Sequence, residues 1–178
     1  MAKQNVKVTV DVVVFTIKNG LLKVLLIKRE NPPFRGQFAI PGGFVEEDES
    51  LEEAAMRELK EETNVTNIFI KKINAYGDVH RDPRGRIITI VFMALVDSEK
   101  FKLKSTGDAA QAEWINTINI KKLAFDHSTI LKDSIEELKY EIQTTNIASQ
   151  LLPEKFTLTE LQTLYETILN KNLDKRNF

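Results

Sequence analysis

The sequence predicts an α/β chain, a mixed sheet flanked by helices, followed by a helical C-terminal region. Three observations carry this prediction. Up to about residue 45, apolar runs of strand length are separated by Asn-Gly, Pro-Pro and Pro-Gly-Gly breaks. One well-signalled helix, residues 50–63, is followed by further strand-like runs. Near residue 120 the periodicity turns helical and stays so, which divides the chain into residues 1–122 and 123–178.

Val6, Val8 and Val10 alternate with polar residues and run into Val12, Val13, Val14 and Phe15, a strand whose second half should be buried on both faces. Asn19-Gly20 separates it from a second apolar run, residues 21–27. Both turn residues accept positive φ, so the pair predicts a hairpin. Residues 37–40 read as a short strand that ends at Pro41-Gly42-Gly43. In the helix at 50–63, Ser50 and Glu53 have capping-box spacing, and Ala, Leu, Met, Glu and Lys fill the body. Strands are expected at 68–73, 86–96 and 112–115, with the polar segment 77–85 between the first two. Helices are expected at 128–142 and 157–169, with a short piece at 147–151, and Thr157 and Glu160 repeat the capping-box spacing.

Composition excludes several classes. With 42% hydrophobic and 29% charged residues the chain is globular in type rather than disordered. The 25 basic and 26 acidic side chains nearly cancel, which leaves no global field for nucleic acid or an anionic membrane. No run approaches the roughly 20 apolar residues of a membrane span. Cysteine is absent, so disulfides, thiolate metal sites and cysteine nucleophiles are excluded. With no apolar leader-like core at the N-terminus, a cytoplasmic location is expected.

Chemistry concentrates on the helix at 50–63. At about 100° per residue, Glu58 and Glu62 share a sector with Leu51, Ala54 and Ala55, and Glu61 lies at its edge. A Glu-rich helix ordinarily presents a solvated face, which accounts for Glu52 and Glu53 but not for two glutamates on the inward stripe. Carboxylates withdrawn from water repel one another and rise in pKa unless positive charge sits between them. A hard divalent cation meets that need. Pro41-Gly42-Gly43 lets backbone approach a ligand closely, and Arg57 stands one turn before Glu61.

These residues together, Gly43, Glu49 and Arg57-Glu58-Leu59-Lys60-Glu61-Glu62-Thr63-Asn64-Val65, resemble the Nudix box, G-x5-E-x7-R-E-U-x-E-E-x-G-U, at every position except Asn64, which stands for glycine. The resemblance implies a Nudix α/β/α sandwich and Mg²⁺-dependent pyrophosphate hydrolysis, with Mn²⁺ as the alternative ion. It implies Glu58 and Glu62 as principal metal ligands, Glu61 assisting directly or through water, a carbonyl from Gly42, and Arg57 with Glu49 bracing the carboxylates. Asn64 reads as the left-handed residue closing the helix, where asparagine is the next-best occupant after glycine. The general base is left open between a box glutamate and a later carboxylate, for which Glu113, before a Trp114 expected to be buried, is the candidate.

Lys28-Arg29, the segment from Asn31 through Phe34 to Val45, and Arg81-Asp82-Pro83-Arg84-Gly85-Arg86 resemble the ADP-ribose pyrophosphatase branch of the family. That likeness implies ADP-ribose and water giving AMP and ribose 5-phosphate. Arg29, Arg81 and Arg84 then serve as forked donors and Phe34 as a stacking ring, against plainer readings as a solvated loop and a core residue. The tail, with Leu123-Ala-Phe-Asp-His-Ser and residues 151–166 and 173–178, resembles the winged-helix region of Nudix-related regulators of NAD metabolism. The competing reading is therefore a nucleotide-sensing regulator. Residues 121–178 hold 8 basic against 9 acidic side chains, and the tail ends where a recognition helix is expected, so an incomplete winged helix and no DNA binding are expected. A homodimer is implied by resemblance. His127 is expected to make a local hydrogen bond at a helix start, and His80 is given no role.

Overall fold

The computed structural model describes residues 5–103, 111–152, 155–176 and 178. Of the segments singled out above, Met1 to Gln4, Pro153, Glu154 and Asn177 lie outside the described residues. Strand β1 (Lys7–Lys18) and strand β2 (Leu21–Lys28) form the expected hairpin, pairing Phe15 with Val24 and Lys18 with Leu21. Asn19 and Gly20 take φ values of 56° and 68°, the left-handed pair that matches strand twist in a two-residue turn. Strand β3 (Phe38–Ala39) pairs with the end of β2. Strand β4 (Gly42–Phe44) pairs with the first half of β1, Thr9 to Phe44 and Asp11 to Gly42. The two glycines expected to end a strand are therefore inside one, held there by β1 on one side and by the following helix on the other.

That helix, α1 (Leu51–Thr63), starts at Ser50 with the full capping box and ends at Asn64 with φ 65°. Strand β5 (Lys71–Tyr76) lies later than the apolar run at 68–73 suggested. Ile68 and Ile70 pack into the core as loop residues, while pairing with the next strand, through a bulge near Lys72, decides where β5 begins. Strand β6 (Ile87–Leu95) runs parallel to β1, and strand β7 (Ala112–Asn116) covers the outer edge of β2. The sheet is mixed, in the order β3-β2-β1-β6-β5 with β4 beside β1 and β7 beside β2.

Helices α2 (His127–Thr144) and α3 (Leu158–Leu169), joined through a 3-10 turn at Ile147–Gln150, follow the sheet. Alternation along the central strands sends Val13, Phe15, Val24 and Leu26 to one face with Ile130, Leu138, Ile142, Leu164 and Ile168. Val10, Val12, Val14, Leu25 and Ile27 go to the other, with Ala54, Ala55 and Leu59 of α1. Two cores on two faces make the layered α/β/α arrangement, and β1 is fully buried from Val10 to Phe15 as expected. Among the described residues, no helix is long and apolar enough to cross a membrane.

The position of the site follows from a fork in this sheet. β1 pairs with β2 along its second half and with β4 along its first, so β2 and β4 diverge where β1 changes neighbour. The chain crosses that gap at Ile40 and Pro41, with the Val12 N–H donating to the Pro41 carbonyl at 2.9 Å.

Candidate functional site

At the fork lies a half-open cavity of about 60 Å³, lined by Thr9, Asp11, Arg29, Gly42, Gly43, Phe44, Arg81, Asp82, Arg84, Phe125 and His127, with Ile27 and Ile40 as its apolar members. The carboxylates of α1 meet β4 at the two glycines. A Cβ on Gly43 would overlap the Glu58 carboxylate, and one on Gly42 would overlap the Val10 carbonyl and come within 2.8 Å of Asp11 Oδ1. The Val10 backbone requires glycine at 42, and a side chain at 43 would push the Glu58 carboxylate out of its place. The Gly42 N–H donates to Glu62 Oε2 at 2.9 Å, which fixes that side chain against the strand.

Electrostatics single out the same pair. Burial pushes Glu62 up to about 8, helped by the charges of Glu58 and Asp11 and opposed by the Gly42 N–H and Arg29. Burial also raises Glu58, against the pull of Arg57. Arg57 holds the arrangement together. Its Nη2 and Nε reach the two oxygens of Glu49 at 2.6 and 2.9 Å, its Nη1 donates to Glu58 at 2.9 Å, and Nη2 also donates to the Phe44 carbonyl at 3.0 Å. The fork of Arg57 takes Glu49 down to about 2, with the Glu46 N–H helping. Glu61 is farther from Arg57, 3.6 Å, with its side chain 60% exposed.

The expected metal set of Glu58, Glu61, Glu62 and Gly42 is thus not drawn into one cluster. Among the described residues, no group of three or more acidic or histidine side chains is arranged to hold a metal ion. Glu58 and Glu62 face β4 while Glu61 points outward, as the 100° helical step dictates. The donor chemistry still fits a hard divalent cation. Two carboxylates half-withdrawn from water, both resisting ionisation, are what added positive charge would relieve.

The basic residues divide. Arg29 and Arg84 line the cavity. Burial lowers the pKa of Arg29, and the Arg84 charge lowers it further. Arg81 lines the cavity as well, but its Nε and Nη2 both donate to Asp126, at 2.8 and 2.7 Å, and its side chain is 3% exposed. Its forked donors hold the start of α2 to the 77–85 segment. Phe34 stands behind the wall, edge to face against Phe125 at 4.8 Å between centroids, rather than on the cavity itself.

Two expectations are corrected here. The His127 backbone N–H donates to the Ala124 carbonyl at 3.1 Å, but its ring makes no local bond at the start of α2. Its Nδ1 accepts the Ile40 N–H at 2.9 Å, 87 residues away, and it is buried beside Asp11. Burial holds its pKa low, and with Nδ1 accepting, the neutral ring carries its proton on Nε2, 3.6 Å from Asp11 Oδ1. Glu113 pairs with Leu26 across β2 and β7, so its side chain shares the face of Leu26, whose neighbours are α2 and α3. It lies across the sheet from α1, and the neighbouring Trp114 is half-buried on the α1 face.

Sequence reading gave no role of their own to Asp11, Phe44, Asp82 and Phe125, although the last three lie in segments quoted for their family likeness. Asp11 carried a signal, a lone carboxylate inside an otherwise apolar strand. It is buried and accepts from Thr89 Oγ1 at 2.6 Å. Asp82, also buried, grips Arg84. The two phenylalanines carried none, because only the fold brings residues 44 and 125 to one cavity.

Comparison with known proteins adds the following. The family model described as the NUDIX domain matches residues 6–134, and that described as the NrtR DNA-binding winged helix domain matches residues 148–178. The chain is 36% identical over 174 residues to the ADPR responsive transcriptional repressor NtrR of Acinetobacter baylyi, covering 96% of this chain and 69% of the repressor. It is 50% identical over 111 residues to the ADP-ribose pyrophosphatase of Methanocaldococcus jannaschii, covering 62% of this chain and 64% of that enzyme. Among solved structures, Shewanella oneidensis NrtR superposes with a TM-score of 0.82 at 34% identity, over 96% of this chain and 80% of its own. That protein has also been solved with a 27mer DNA, and its NUDIX domain with ADP ribose.

Proposed function

The chain belongs to the NUDIX family, and from that premise we propose that it hydrolyses the diphosphate of a nucleoside diphosphate derivative, ADP-ribose first, to AMP and ribose 5-phosphate. The observation that carries the reading is the seating of Glu58 and Glu62 on Gly43 and Gly42, at the wall of a cavity that also holds Arg29 and Arg84. Glu58 and Glu62, with the Gly42 carbonyl, would hold Mg²⁺ or Mn²⁺. Such an ion neutralises diphosphate charge and acidifies a bound water. Arg57 and Glu49 keep Glu58 oriented, and Arg29 and Arg84 donate to the phosphate oxygens of the bound diphosphate. With Glu113 across the sheet, proton acceptance falls to a box glutamate, and Glu61 is the one placed at the solvent edge.

The test is AMP release across a panel of nucleoside diphosphate compounds, with and without Mg²⁺. Metal-dependent AMP and ribose 5-phosphate from ADP-ribose is expected. A second reading is favoured by the winged-helix match at 148–178 and the 36% identity to a repressor: a nucleotide-responsive regulator. Tight ADP-ribose binding with no turnover of any compound in the panel would select it over the hydrolase.

A further inference from the structure

Phe125 has a backbone φ of 53° and Phe34 a φ of 63°. A bulky aromatic residue is rare in the left-handed region and persists there only when its surroundings over-determine it. Here both such residues meet each other, ring edge to ring face, Phe125 on the cavity wall and Phe34 behind it. The Phe125 ring is the hub of the basic side of the site. The Arg29 Cζ lies 4.8 Å from its centroid and the Arg84 Cζ 5.1 Å, while the His127 ring is 5.2 Å away. Arg84 also lies 5.0 Å from the Phe44 ring.

Two guanidiniums on one ring is an arrangement that mutual repulsion opposes. It is held by the π density of the ring and by separate tethers: Arg29 Nε donates to the Pro33 carbonyl at 2.8 Å, and the Arg84 Nε and Nη2 grip the Asp82 carboxylate at 3.0 and 2.7 Å. The shared ring keeps the two Cζ atoms at most about 10 Å apart, and with both Nε groups tethered each guanidinium can turn its Nη1 end to one phosphate group of a diphosphate. We propose that Phe125 is a positioning residue whose ring holds both Arg29 and Arg84 in place as a paired clamp for the two phosphates of the ligand. This rests on the diphosphate reading for the ligand class, not on turnover.

A leucine at 125 keeps an apolar side chain in the same strained backbone but removes the aromatic face, and a tyrosine keeps the face. The experiment measures binding of inorganic pyrophosphate and of ADP-ribose to the full chain by calorimetry without divalent metal, beside KM and kcat with Mg²⁺. Phe125→Leu is expected to weaken both ligands about tenfold and to raise KM alike. The change in kcat should stay below about threefold, since a clamp that grips substrate and transition state alike is lost from KM and not from kcat. Phe125→Tyr is expected to restore binding, and in an Arg84→Ala background the leucine change should cost less than in the wild type. If the leucine variant has no cooperative melt, Phe125→Met carries the same expectation. Wild-type affinity in the leucine or methionine variant overturns the clamp, as does a wild-type chain that binds neither ligand. Pyrophosphate binding that depends on Phe125 in a chain that turns over nothing upholds the clamp and sinks the hydrolase reading. Normal turnover with wild-type KM and wild-type affinity in the leucine variant does the reverse.

Discussion

Replacing Glu62 by glutamine tests the electrostatics at the centre of the site without an activity assay. In the metal-free fold the Glu62 carboxyl sits at about 8 against an ordinary 4.5, because it is buried near other carboxylates. The folded chain therefore keeps a proton that the unfolded chain releases, so this group lowers stability as pH rises from 4.5 to 8, and the loss is complete above 8. At 1.36 kcal/mol per pKa unit, the cost between pH 5 and pH 8 is about 3 kcal/mol. For a chain of this size that is on the order of 10 °C in Tm. Glutamine cannot ionise, and its carbonyl can still accept the Gly42 N–H. Thermal melts in a chelating buffer from pH 5 to 8 should show the wild type losing stability while Glu62→Gln changes far less. Saturating Mg²⁺ should flatten the wild-type profile alone, since a cation stabilises the ionised form. Parallel wild-type and mutant profiles across that window would refute the reasoning, because the burial assigned to Glu62 would then carry no charge penalty.

Three further outcomes follow from the packing. Gly43→Ala puts a methyl group into the Glu58 carboxylate, so kcat should fall at least about a hundredfold, consistent with displacement of a positioned catalytic group, while far-UV circular dichroism stays native. Glu113→Gln should leave kcat and its pH profile unchanged, since that side chain faces α2 and α3; a loss of about tenfold or more would restore it as a candidate base. Arg81→Ala strands Asp126 and removes a nearly buried fork, which should cost about 3 kcal/mol in denaturant unfolding. A cost below about 0.5 kcal/mol would mean the pair is a surface contact.

Local chemistry made the elements legible before any coordinates. The Asn19-Gly20 turn, the capping boxes at Ser50 and Thr157 and the left-handed Asn64 are decided by residues within a few positions of one another. The same holds for Glu58 and Glu62, since a helix repeat of 3.6 residues puts them on one stripe whatever the rest of the chain does. Even there, the start of β5 slid because its partner β6, not its own apolar run, sets the pairing.

The sequence by itself thus determined the carboxylate helix, the glycines that receive it and, β4 apart, the order of elements along the chain, whereas the order of strands in the sheet came from the fold. The tertiary structure alone decided which side chains share the cavity. It turned Arg81 toward Asp126, sent Glu113 to the far face, brought His127 to the Ile40 N–H, and set Phe44 and Phe125 around Arg84. Contacts between residues 44, 84 and 125 depend on where β1 exchanges one neighbour for another, and no spacing along the chain encodes that crossing.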